Sequence, residues 1–130
     1  MRYFFSQDFT LKARELAKEL GFNHIELDRI SCIVSRGSKT RRTIARIHSL
    51  GKALQEGMQS QPCYVIELIS EKFNSLPEEE KIKVLIHELM HIPHSFGGGF
   101  RHHKPYVTKI AVEEVYRNYV NNKNNKISLV

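Results

Sequence analysis

The stretch Leu85-Ile86-His87-Glu88-Leu89-Met90-His91-Ile92-Pro93 decides how the rest of the chain is read. Ile82, Leu85, Ile86 and Leu89 recur at helical spacing, which predicts a helix with one buried face. His87 and His91 stand four apart on it, separated by about 40° around the axis and by one turn along it. Two imidazoles so placed can hold one tetrahedral zinc, each at about 2.0–2.1 Å. Glu88 lies about 100° round from His87, beside the ligands, where its carboxylate can reach a metal-bound water rather than the metal. His-Glu-x-x-His on a helix is the arrangement in which that glutamate takes a proton from the water. The expected chemistry is hydrolysis with one Zn2+ per chain, His87 and His91 as ligands and Glu88 as general base, acting on a peptide or protein.

Both ends of this helix carry boundary signals. Ser75 and Glu78 have the spacing of a capping box, and Pro77, Glu79 and Glu80 suit a first turn. Pro93 cannot donate to the carbonyl of Leu89, so the helix should end near His91 or Ile92. Just upstream, residues 63–69 form the clearest strand, bounded by Pro62 and by polar Ser70-Glu71-Lys72. That strand is expected to lie along the active-site cleft and pair with an extended substrate.

Further out the pattern is less uniform. Phe9, Ala13, Leu16, Ala17 and Leu20 predict a helix over 6–20 that stops at Gly21. Strand-like character follows over 25–35, with a turn at Arg36-Gly37-Ser38-Lys39 and a second strand over 43–50. A short helix is expected around 52–56. Gly97-Gly98-Gly99 makes a flexible or tightly turning loop. A last helix is expected over 105–120, with Val107, Ile110, Ala111, Val115 and Tyr119 toward the core. The order helix, strands, helix, helix predicts an α+β fold in which a small sheet is covered by helices. A chain of 130 residues suits one domain with a modest core. Residues 121–130 read as a frayed polar tail.

Two helical histidines leave the metal site incomplete. Candidates for the third ligand are His94, His102, His103, Glu113 and Glu114. His94 is at i+7 from His87, the right face had Pro93 not intervened. His102 and His103 follow the glycine loop, which gives the chain ample reach to fold back. Glu113 and Glu114 would supply a carboxylate from the next helix. The longer pattern HExxHxxGxxH fails, because His94 and Gly97 occupy its last two places. Arg101, His102 and Tyr106 are candidates for stabilising an oxyanion.

Composition narrows the setting. With 41% hydrophobic and 26% charged residues the chain has the make-up of an ordinary soluble protein. No apolar stretch approaches the roughly 20 residues needed to span a bilayer. Met1-Arg2-Tyr3-Phe4-Phe5 is too short for the apolar core of a secretory signal, so a cytoplasmic monomer is expected. Cys32 and Cys63 sit in separate apolar segments and read as free thiols. The net charge of +6 is concentrated in Arg36, Lys39, Arg41, Arg42 and Arg46, within a run that holds no carboxylate. Such a cluster can attract nucleic acid, which makes a nucleic-acid-associated zinc protein the alternative function. No aromatic residue interleaves with these charges, so the run itself offers single strands no stacking platform.

At the residues quoted for the metal helix the sequence resembles a family of small archaeal and phage proteins, the phage metallopeptidases. The likeness runs through Tyr64 to Phe73, then Leu85 to Pro93, and on through Phe96, Gly98-Gly99, Arg101, His103, Tyr106 and Val107. Upstream, Ser35 to Arg46 also looks like that family. The resemblance implies a minimal zincin-like fold, with a small mixed β-sheet packed against helices that include the HExxH helix. It implies His87, His91 and His103 as ligands and Glu88 as general base. In that family the place of His102 is commonly proline, which favours His103 as the shared histidine.

Overall fold

The computed structural model describes residues 1–128, with the side chains of 126–128 set aside. Strand β1 (Arg2–Ser6) leads directly into helix α1 (Gln7–Glu19). Ser6 Oγ accepts the Phe9 N–H at 3.2 Å and so caps α1. Gly21, at φ +72, supplies the left-handed residue that ends it. A 3-10 turn (Leu27–Arg29) then precedes β2 (Ile30–Arg36), so only the second half of the expected 25–35 segment is strand. Next come β3 (Ala45–Ser49), short α2 (Lys52–Met58), β4 (Tyr64–Ile69), one-turn α3 (Ser70–Phe73), α4 (Glu78–Met90) and α5 (Lys109–Ser128). The fold is α+β, as the element order predicts.

The four strands form one mixed sheet in the order β1-β2-β4-β3. β2 and β4 run parallel in the centre, while β1 and β3 are antiparallel edges. Ile30 and Cys32 of β2 and Tyr64, Ile66 and Leu68 of β4 point to one face. There they pack against Ala13, Leu16 and Ala17 of α1 and Leu85 and Leu89 of α4. This apolar layer is the core, and it fixes α4 beneath the sheet. At about 25 cal/mol per Å2 of apolar area removed from water, it supplies the main force holding α4 in place.

Several boundaries differ from the sequence expectation for identifiable reasons. β1 was not expected as a strand. The Ser75/Glu78 capping box does not form, because Pro77 takes the N-cap position of α4 and no side chain caps it. Glu78, Glu79 and Glu80 still complement the positive end of the helix dipole. α5 begins at Lys109 rather than near Pro105, where the Lys104–Pro105 peptide is cis and the chain is still turning. Thr108 Oγ1 accepts the Ala111 N–H at 3.1 Å and marks the true start. Val112 and Tyr119 supply its buried positions, whereas Ile110 is 73% exposed. The helix continues to Ser128, through part of the stretch whose composition reads as a polar tail. Among the described residues, no helix is long and apolar enough to cross a membrane.

Candidate metal centre

α4 carries His87 and His91 on the face turned away from Leu85 and Leu89, toward a cavity of about 730 Å3. One wall is the chain from Arg42 to Ile47, including most of β3; the opposite wall is the first turns of α5 at Lys109, Val112 and Glu113. His87 Nε2 and His91 Nε2 lie 3.3 Å apart. Two nitrogens bound tetrahedrally at about 2.05 Å to one zinc would be about 3.3 Å apart, so this pair fits a shared ion. His103 closes the group: ligand nitrogens of His87, His91 and His103 all lie within 4.8 Å of one another. No other such His/Cys/Asp/Glu cluster occurs among the described residues.

The surroundings orient His91 and keep both His87 and His91 in the neutral form. His91 is the C-cap of α4, and its Nδ1–H donates to the Arg101 carbonyl at 2.7 Å. The Arg101 N–H returns a bond to the His91 carbonyl at 2.8 Å. This double link fixes the tautomer and leaves the Nε2 lone pair facing the cavity. Burial, then the neighbouring His91 and His103, depress the His87 pKa to about 4, so the ring is neutral near pH 7. His91 is likewise lowered, first by burial. A neutral imidazole is the form that binds metal.

Glu88 lines the same cavity, and burial pushes its carboxyl up to about 7. Among the described residues, no hydrogen bond or ion pair engages that carboxylate. A buried carboxyl beside this histidine cluster is suited to exchange protons near neutral pH.

The other candidates are elsewhere. His94 is exposed and packs on the His24 ring, centroids 4.4 Å apart. His102 and Glu114 are exposed and outside the cluster. Glu113 reaches the cavity but is held by Lys83 at 3.1 Å. Arg101 stacks its guanidinium on Tyr106 at 4.4 Å, and neither they nor His102 line the cavity. The cleft strand is also corrected: β4 is paired on both sides, and β3 is the edge beside the metal group. Both cysteines are free, and burial pushes the Cys32 thiol up to about 12, beyond reactive use.

Sequence reasoning missed two supports. One is the Arg101 carbonyl, a backbone atom that no residue type announces. The other is the Tyr64 hydroxyl, which accepts the Gly97 N–H at 3.0 Å and donates to the Gly98 carbonyl at 2.9 Å. It thereby pins the glycine loop that leads to Arg101 and His103. Gly97 is required there: its φ is +99, and a Cβ would sit 2.8 Å from Pro62 Cγ.

An α+β fold with a His-Glu-x-x-His helix and a third imidazole converging on one point defines a candidate metal-dependent hydrolase. Residues 1–122 match the model of the Putative phage metallopeptidase family, and the chain belongs to that family. No match was found among curated proteins or solved structures.

Proposed function

We propose that the protein is a zinc metallopeptidase of the HExxH type, its ion held by His87, His91 and His103. The observation that carries this reading is the convergence of three imidazoles, with an unpaired Glu88, in a cleft bordered by a free strand edge. A bound zinc supplies Lewis acidity, polarising a carbonyl and acidifying water. Glu88 takes the proton of the attacking water and can return it to the leaving amine. The outer edge of β3 offers backbone N–H and C=O groups to an extended peptide, which would add as a further strand alongside the metal group. Apolar Ile44, Ile47, Val84 and Val112 line the cleft and suit an apolar side chain. The protein is read as one domain acting in the cytoplasm as a monomer.

The test is Glu88→Gln. The amide keeps the shape but cannot serve as base, so the variant should retain about one zinc per chain while hydrolysis of an unstructured protein substrate falls by at least 100-fold. Full turnover in Glu88→Gln, measured alongside metal content, would refute the assignment of the base.

A further inference from the structure

β3 pairs with β4 on one side only, and its outer edge borders the metal cleft. The register assigns its two faces. Ala45 and Ile47 stand opposite Leu68 and Ile66 and pack on the core with them, on the side of α4. Arg46 and His48 stand opposite Glu67 and Val65, so they project from the other face. Their side chains are 43% and 50% exposed. A peptide strand added to this edge alternates in the same way. Half of its side chains turn toward the metal cleft, and the other half lie beside Arg46 and His48.

Glu67 decides what those two residues can offer. Its carboxylate is already bonded by Ser35 at 2.7 Å and His48 at 2.8 Å, and Arg46 Nε lies 3.5 Å away. Among the described residues, no other carboxylate engages the Arg46 guanidinium. Its fork of five N–H donors therefore has capacity for a second carboxylate. Arg42, where this wall of the cleft begins, is exposed and lines the cavity. Among the described residues no carboxylate engages it. The segment from Ser38 to His48 holds Lys39, Arg41, Arg42 and Arg46 and no carboxylate.

The opposite wall differs. There Lys83 is shared by Glu79 at 3.2 Å, Glu80 at 3.5 Å and Glu113 at 3.1 Å. With Lys109 counted, that wall carries three carboxylates against two cations. The cleft is thus polarised, with its positive side along the β3 edge.

We propose that the peptide received at the β3 edge is acidic, one carboxylate side chain pairing with Arg46 across the added strand and another with Arg42. Its alternate side chains, turned toward Ile47, Val84 and Val112, are apolar. This names the substrate class of the metallopeptidase proposed above and rests on that reading. Opposite charges across two strands attract modestly at an exposed edge, so each contact changes affinity about two- to fivefold.

The experiment uses three unstructured peptides with the same apolar alternate positions and Glu, Gln or Lys at the others. Cleavage by the zinc-loaded full chain is followed by mass spectrometry at about 50 and 300 mM salt. Binding is measured separately, by fluorescence anisotropy, on zinc-loaded Glu88→Gln. The kcat/KM of the Glu peptide should exceed that of the Gln peptide about fivefold, with the Lys peptide lowest. The preference should shrink at the higher salt. Arg46→Gln and Arg42→Gln should each reduce it by about two- to threefold. Among the described residues Arg42→Gln breaks no ion pair, so it reads its contact even where Arg46→Gln unsettles Glu67. Equal kcat/KM for the Glu and Gln peptides overturns the acidic preference while the peptidase reading stands. A preference unchanged in both variants also overturns it, since its source then lies elsewhere. Binding ranked Glu, Gln, Lys without cleavage of any peptide supports the acidic edge site and removes the peptidase reading. Absence of both binding and cleavage for all three peptides overturns both.

Discussion

His103 differs from its two companions in being exposed and in arriving from a loop rather than from α4. His87 and His91 are preset by helical geometry, so a third ligand converts a pair of nearby nitrogens into a closed site. Three neutral imidazoles would leave the full +2 charge of zinc to act on water. A carboxylate in that place would reduce it by one, and the nearest candidate, Glu113, is already occupied by Lys83. His103→Ala should therefore weaken zinc binding by a factor of ten or more. His94→Ala, His102→Ala and Glu114→Ala should stay within about twofold of the parent. Zinc retained by the four variants after dialysis against a mild chelator decides it. Normal retention by His103→Ala, with loss by another, reassigns the ligand.

At the scale of elements, the loop between α4 and α5 behaves as part of the site because β4 holds it. The Tyr64 ring is buried against Phe96 and near Phe100, and its hydroxyl bonds both Gly97 and Gly98. Tyr64→Phe keeps the packing but strands an N–H and a carbonyl, at a cost of about 1–3 kcal/mol. Since the loop carries the Arg101 carbonyl that orients His91, zinc affinity should fall about tenfold while far-UV circular dichroism is unchanged. Undiminished affinity in this variant would show that the loop is held by other contacts. The metal helix was legible in the sequence because its evidence is local: a 3.6-residue period, two histidines four apart and Pro93 as a stop. β1 was not legible, since Arg2–Ser6 shows no polar alternation and its partner lies some thirty residues on. Nor was the cleft strand. Period-two patterning identifies β3 and β4 as strands but is silent on which one ends the sheet, so the clearer strand pattern of β4 points to the place that β3 holds. The sequence places the start of α5 four residues early, because Pro105 satisfies a helix-start rule that the turning backbone overrides.

Across the whole molecule, Glu67 joins three strands from inside the sheet. It is 1% exposed, accepts from Ser35 of β2, and meets His48 and Arg46 of β3. Burial pushes its pKa up, but the hydrogen bonds from Ser35 and His48 and the charge of Arg46 outweigh that, and the net shift is downward. A carboxyl depressed in the folded state binds its proton more readily when unfolded. Its stabilising contribution is therefore complete above the unfolded value, near 4.3, and disappears as the pH falls through the lower folded value. Glu67→Gln removes the charge while nearly preserving shape. It leaves Arg46 and His48 facing a neutral amide, which should cost about 1–3 kcal/mol near pH 7. Below the folded pKa of Glu67 the parent has lost the same charge, so the two stability curves should approach each other in acid. Urea unfolding of both proteins at pH 7, 5 and 3, with zinc absent throughout to remove metal linkage, tests this. A gap between parent and variant that stays constant over that range would mean that Glu67 contributes through its shape and neutral hydrogen bonds rather than through its charge.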